Sequence, residues 1–400
     1  MKPEQKNIKQ FKESIMAIRV NLRLIDELVR YGAEDVQYCY HCGDCSTVCP
    51  HADAVFRFPR KSMRQLQMGL EQRIETTLEP WLCYYCGQCS EQCPREADPG
   101  ETMMGLRRWL IARYDITGIA RQFFKSKTVE IISVIVVGII TGALLLYYGF
   151  SQGNLSIYDG EGAFLPSSFI HTFDLIIGII MVFFLIVNAL NMGYLTMRKG
   201  CDYPVPWWIY IKKLLVLPWH FFTQKRYAEC ENKRETKIFM PWFIHMGLAF
   251  GYMIMLILVM VFIEKLQYGP EIDWSVHIFG YLASVGLIIG CIYFIRSRFR
   301  KHHIQYKKTH STDWVFVVLL LIITVTGIAQ HILHRTGIIE WANIIYVVHL
   351  ICVAPWFLRM PFSKWSHLVY RPLAMYFAAV RREALERQEE GLPSISYSYK

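Results

Sequence analysis

Residues 39–50 read CYHCGDCSTVCP, and residues 83–94 read CYYCGQCSEQCP. Each run has the spacing C-x2-C-x2-C-x3-C-P. Three closely spaced thiolates wrap one corner region of a cubane cluster, and the fourth, redirected by the proline, ligates the neighbouring cluster. Neither run completes a site alone, which explains the duplication. The pattern predicts one [4Fe–4S] cluster on Cys39, Cys42, Cys45 and Cys93. A second falls on Cys83, Cys86, Cys89 and Cys49. Structural zinc prefers paired C-x2-C knuckles with four ligands in all, so this spacing argues against it. Gly43 and Gly87 suit tight turns where backbone approaches a cluster.

The stretch between the runs, RKSMRQLQMGLEQRIETTLEPW (60–81), reads as a helix. It is too long for a compact small ferredoxin, so the head is expected to be an α-helical ferredoxin-like unit. Ahead of it, Ile15, Ile18, Leu22, Leu24, Ile25 and Leu28 fall at amphipathic helical spacing. That start has no unbroken apolar run of the signal-peptide kind. The head is therefore expected in the cytoplasm, where thiols stay reduced and serve as ligands rather than disulfides. The remaining cysteines, Cys201, Cys230, Cys291 and Cys352, are isolated and read as small apolar fillers.

Beyond about residue 128 the composition changes. The whole chain is 53% hydrophobic and only 19% charged, below the roughly 25% charge of soluble chains. Six segments reach the about 20 residues that span a hydrocarbon core. They run approximately 131–150, 169–195, 241–263, 274–294, 314–333 and 341–358. The net charge of +10 sits in particular loops, so it signals topology and excludes nucleic acid as a partner. Arg198, Lys199, Lys212, Lys213, Lys225, Arg226, Lys233, Arg234 and Lys237 follow segment two. Arg296, Arg298, Arg300, Lys301, Lys307 and Lys308 follow segment four. The opposite loops carry only Lys265 and Arg335. By the positive-inside rule, both termini are expected to be cytoplasmic. VPWWIYIKKLLVLPWHFF (205–222) holds Lys212, Lys213 and two prolines, and reads as a helix lying in the interface.

Ionisable groups inside a membrane are costly and point to function. His349 and His367 are 18 residues apart. On a continuous helix that is five turns and about 27 Å, placing both on one face. His245 enters from the cytoplasmic side and matches His367 in depth, which predicts a haem held by that pair. At the other depth His349 has three possible partners, His171, His277 and His331. Asp174 lies one turn from His171 and shares its face. His171, Asp174, His277 and His331 are accordingly candidates for a quinone site, with His349 and His277 candidates for a second haem.

HLICVAPWFLRMPFSKWSHLVYRP (349–372) resembles the last helix of the gamma subunits of respiratory nitrate reductases, which are dihaem cytochromes b. FIHMGLAFGYM (243–253) resembles their helix bearing the proximal haem ligand, which falls on His245. That family has a second histidine ten residues on, where this chain has Met255. Both cysteine runs, FRFPRKSMRQLQMG between them and LRRWL after them resemble the C subunit of heterodisulfide reductase. HFFTQKRYAEC (220–230) resembles the cytochrome b partners of that enzyme group. The order of the fusion, over nearly the whole chain, is similar to the C subunits of quinone-interacting membrane-bound oxidoreductase complexes. The resemblance implies heterodisulfide-reductase-A-like flavoprotein subunits as partners, menaquinone as substrate and a link to adenylylsulfate (APS) reductase.

No CCG run and no G-x-G-x-x-G fingerprint occurs, so no flavin site and no complete active site for a soluble reaction is expected here. The expected fold is all-α: head 1–128, membrane domain 129–370 with haem b, and a cytoplasmic tail 371–400. The expected function is electron transfer between menaquinone and cytoplasmic flavin and iron–sulfur subunits. The alternatives are a membrane redox subunit serving a heterodisulfide-reductase-like or sulfite-linked enzyme, or a transporter sensing redox state through clusters.

Overall fold

The computed structural model describes residues 19–152, 164–232, 240–263, 265–266, 272–301 and 304–390. Ile15, Ile18, Lys233, Arg234 and Lys237 lie outside the described residues, as does the side chain of Cys230. Among the described residues there are helices and turns but no strand.

The head begins with α1 (Leu24–Val29), which buries Leu24 and Leu28. Leu22, expected on the same stripe, is 90% exposed. The first cysteine run then carries α2 (Asp44–Thr47). The linking stretch is not one helix but three: α3 (Arg60–Gln67), α4 (Glu71–Glu75) and α5 (Glu79–Leu82). Gly69 breaks the first from the second. Its φ is +64°, and a Cβ there would sit 2.5 Å from the Asn21 carbonyl oxygen, so only glycine fits without strain. The second run carries α6 (Gln88–Glu91). Asp98 then caps α7 (Pro99–Tyr114), accepting from the Glu101 amide at 3.2 Å, with Pro99 pre-set for the first turn. The head closes with α8 (Ile119–Lys125).

Among the described residues six helices are long and apolar enough to cross a membrane. The first is α9 (Lys127–Ser151), capped by Ser126. The second, α10 (Ser167–Gly193), continues as a π-helical turn over Tyr194–Lys199. Three short helices follow: α11 (Trp207–Lys212), α12 (Val216–Thr223) and α13 (Lys225–Asn232). The predicted interfacial helix is thus two pieces, and Trp207, Leu215 and Trp219 are exposed. The remaining long helices are α14 (Met240–Ile263), α15 (Trp274–Arg300), α17 (Ser311–Arg335) and α18 (Ile339–Arg359), with the short α16 (Ile304–Lys307) before α17. α14 packs on α15, α15 on α17, α17 on α18, and α9 and α10 on α18. Their outer faces stay apolar, with Ile139 66% and Leu190 69% exposed. Exposed apolar surface on helices whose backbone is satisfied internally is what a lipid solvent requires.

The helix bearing His349 does not run on to His367. α18 ends at Arg359, and Met360–Phe362 and Lys364–Ser366 form two 3-10 turns separated by an extended Ser363. Pro361 has no amide hydrogen to continue the ladder. His367 instead opens α19 (His367–Glu390). That helix, where a tail was expected after residue 370, belongs to the core of the head. Tyr370, Ala374, Met375, Val380 and Ala384 are buried in one cluster with Leu24, Met63, Trp81 and Phe124. Trp81, Tyr114 and Tyr370 meet with centroids 5.3–6.2 Å apart. Such aromatic pairs contribute about 0.5–1.5 kcal/mol each beyond burial.

Candidate functional site: cysteine sets, a histidine pair and a membrane cavity

Gly43 (φ +102°) and Gly87 (φ +85°) adopt the left-handed conformation at the starts of α2 and α6. Each sharp turn presents the third cysteine of its run, Cys45 or Cys89, from a four-residue helix. The fourth cysteines cross over. Cys49 is in electrostatic reach of Cys83 and Cys86, and Cys93 of Cys39 and Cys45. Cys49, Cys83, Cys86 and Cys89 line one cavity together with Phe58, Tyr84, Tyr85 and Gly100. Gly100 must be small, since a Cβ would meet Ser90 Oγ at 2.8 Å. Backbone amides point at the sulfurs: Tyr85 N lies 3.3 Å from Cys83 Sγ, and Ala97 N lies 3.4 Å from Cys93 Sγ.

Burial, then repulsion from Cys39, pushes the Cys45 thiol up to about 11. Burial, then repulsion from Cys83, pushes Cys49 up to about 12. Iron would reverse this, because ligating thiols must ionise. Among the described residues no three histidine, cysteine or acidic side chains converge as around a single ion. Cys49, Cys83, Cys86 and Cys89 around one cavity are the thiolate donor set that a cubane cluster takes. The two sets differ in access: Cys42 is exposed, beside exposed Tyr38 and Tyr40, whereas Cys83 and Cys89 are buried.

His245 on α14 and His367 on α19 come together, ring centroids 6.4 Å apart. The His367 Nδ1–H donates to the Lys364 carbonyl at 2.6 Å, which leaves Nε2 with its lone pair. His245 Nδ1 is buried and has no hydrogen-bond partner among the described residues. Metal–imidazole bonds are roughly 2 Å long, so this separation admits one iron bonded to both rings. A cleft lined by Tyr84, His220, Phe221, Leu368, Arg371 and Pro372 surrounds the pair. Two imidazoles at this separation are a donor set of the kind that holds a haem iron.

A larger cavity of about 620 Å³ lies among α10, α14, α15, α17 and α18. Asp174, Met255, His277, Tyr281, His331 and His349 line it within an otherwise apolar wall. His277 and His331 have centroids 5.2 Å apart. His277 Nδ1–H donates to the Asp273 carbonyl at 2.8 Å, and Arg335 Nη2 donates to His277 Nε2 at 3.3 Å. The Tyr281 hydroxyl bonds His331 Nε2 at 3.0 Å. His349 pairs instead with Thr326 Oγ1 at 3.0 Å. Its ring lies against Gly327, where a Cβ would approach to 3.1 Å. His171 is exposed and does not line the cavity, although Asp174 does.

Tyr84, Arg371, Tyr281, Arg335 and Lys364 were not candidates from sequence. Arg371 follows His367 by four residues, one helical turn, and that spacing was the available signal. Tyr84 offered none beyond its place inside the second cysteine run.

Residues 35–97 match the 4Fe-4S dicluster domain family. A heterodisulfide reductase C-subunit-like protein of Archaeoglobus profundus is 33% identical over 105 residues. That match covers 26% of this chain and 56% of the relative, so the chain spans about half the length of the curated protein it matches. No solved structure matches. The chain thus carries a 4Fe-4S dicluster domain at residues 35–97, and among the described residues the regular structure is helical, with six helices long and apolar enough to cross a membrane. Over those 105 residues the chain is similar to the heterodisulfide reductase C-like protein.

Proposed function

We propose that this chain is the membrane subunit that exchanges electrons between a quinone pool and soluble partner subunits. In this reading Cys39, Cys42, Cys45 and Cys93 hold one [4Fe–4S] cluster. Cys83, Cys86, Cys89 and Cys49 hold the other, and His245 and His367 hold a haem b. These groups supply one-electron chemistry when bound, and the protein supplies position, burial and ligands.

One observation carries the reading: Tyr84 lines both the cavity of the second cysteine set and the cleft of the histidine pair. That one side chain belongs to the walls of both sites. Arg371 seals that wall, donating to the Cys83 carbonyl at 2.5 Å while lying over Tyr84. The exposed rim at Cys42, Tyr38 and Tyr40 is then the side offered to soluble partners. The membrane cavity takes the quinone, with His277, His331 and Asp174 as the groups that exchange its protons. His171, exposed outside that cavity, is left out of this site.

From the resemblance of the fused chain come finer proposals: menaquinone as the carrier, heterodisulfide-reductase-A-like flavoproteins as partners, and APS reductase beyond them. The basic loops support both termini lying on the cytoplasmic side. His245→Ala tests the core of the reading on purified chain. Expected are loss of the haem b difference spectrum and retention of both cluster signals in paramagnetic resonance. A wild-type chain that binds no haem would overturn it.

A further inference from the structure

The cysteine-bearing turn and the histidine pair are joined by a second route, built of alternating charges. The Tyr85 hydroxyl, between Cys83 and Cys86, donates to Glu101 Oε2 at 2.6 Å. Arg108 Nη1 donates to Glu101 Oε1 at 2.9 Å, and its Nη2 lies 3.8 Å from Asp313 Oδ2. Lys364 Nζ pairs with Asp313 Oδ1 at 2.8 Å. The Lys364 carbonyl accepts from His367 Nδ1 at 2.6 Å. Glu101, Arg108 and Asp313 are each at least 91% buried in their side chains. They come from α7 of the head and the first turn of α17.

Lys364 is the joint of this chain. It sits in the 3-10 turn between the last span and α19, where its carbonyl accepts from both the backbone amide and the ring of His367. Its side chain is tied to Asp313 and its carbonyl to the imidazole. The ammonium thereby anchors the peptide that orients His367.

We propose that Lys364 and Asp313 are positioning residues for His367, setting its ring orientation and basicity toward the iron it would hold. The inference rests on the haem reading above. A partner on the second imidazole nitrogen fixes tautomer and ring orientation and raises ligand basicity, and losing such a partner costs about 10–100-fold in metal affinity. A more basic ligand favours the oxidised metal. Loosening the Lys364 carbonyl therefore shifts the redox equilibrium toward the reduced form.

The test is Lys364→Met, which keeps the length of the stem and removes the charge, beside Asp313→Asn and the conservative Lys364→Arg. Haem per chain, the titrated midpoint potential and the low-spin ferric resonance are read together, with the cluster resonances as internal control. Expected in K364M and D313N alike is at least a tenfold loss of haem affinity with an altered low-spin ferric resonance, whereas a charge effect alone would leave affinity unchanged and move the midpoint potential in opposite directions in the two variants. Cluster signals should be unchanged, and K364R should restore the wild-type spectrum. Unchanged haem in K364M overturns the positioning role while leaving the haem reading intact. A wild-type chain without haem overturns both. Loss of haem and clusters together marks the pair as a folding element and also overturns the proposal.

Discussion

The guanidinium of Arg371 lies 4.0 Å from the ring centroid of Tyr84. One helical turn separates Arg371 from His367, so a fixed cation stands between the buried cysteine set and the histidine pair. A positive charge beside a redox centre favours its reduced form. Arg371→Gln should therefore lower the midpoint potential of a haem held by His245 and His367. A tenfold shift in that equilibrium corresponds to about 59 mV for one electron. Spectroelectrochemical titration reads it, and an unchanged or raised potential would remove Arg371 from the electrostatics of the site.

The crossed cysteine arrangement makes an asymmetric prediction. Cys49→Ser should alter the cluster held by the second run, and Cys93→Ser the one held by the first. Paramagnetic resonance of the reduced protein resolves the two centres. If Cys49→Ser perturbs only the centre of its own run, the crossed assignment fails.

Glu130 and Arg359 form a buried ion pair near the head end of the first and last spans, with side chains 0% and 8% exposed. Removing one partner strands a charge, which typically costs about 3–5 kcal/mol. Glu130→Gln and Arg359→Met should each lower the thermal midpoint in detergent. The double variant should lose clearly less than the sum of the two, and additive losses would show that the pair is not coupled.

His310 caps α17, accepting from the Thr312 amide at 3.4 Å and bonding its hydroxyl at 3.0 Å. Burial, then the positive charge of Arg108, holds its imidazole down to about 4. The unfolded chain binds this proton at about 6.5, so between those values it binds more protons than the folded one. Stability from His310 is thus complete above about pH 6.5 and lost as pH falls toward 4. Protonation also removes the acceptor and sets a charge at the positive end of a helix. At pH 5.5 the loss should be about 1 kcal/mol by linkage. His310→Asn, which caps without titrating, should flatten the decline of the thermal midpoint between pH 7.5 and 5.5.

The legible parts of this molecule were those written in local spacing. The cysteine intervals, the glycines at 43 and 87 and the six apolar runs each need only a short window to read. Long-range closure was not legible. Nothing near Gly69 in sequence discloses that the Asn21 carbonyl crowds it and divides the linking helix. The continuity of 349–367 failed for a local reason, the proline at 361, while Pro355 inside α18 was tolerated. His171 and Asp174 were expected to act together, yet only Asp174 faces the cavity, because a shared helix face does not say which part of it meets a neighbour. Lys364 and Arg371 were hidden in plain runs of basic and apolar residues, since their partners are 51 and 288 positions away.

The wall that α19 adds to the head has a consequence for how the protein is made. Ribosomes deliver residues 24–124 first and residues 370–384 last, with all six apolar helices in between. Trp81 and Tyr114 wait for Tyr370 through the whole of that interval. The iron–sulfur head is thus finished only after the final span has been threaded. A chain truncated before α19 lacks Tyr370 and the helix face that packs on Trp81 and Tyr114, and leaves that side of the head core uncovered.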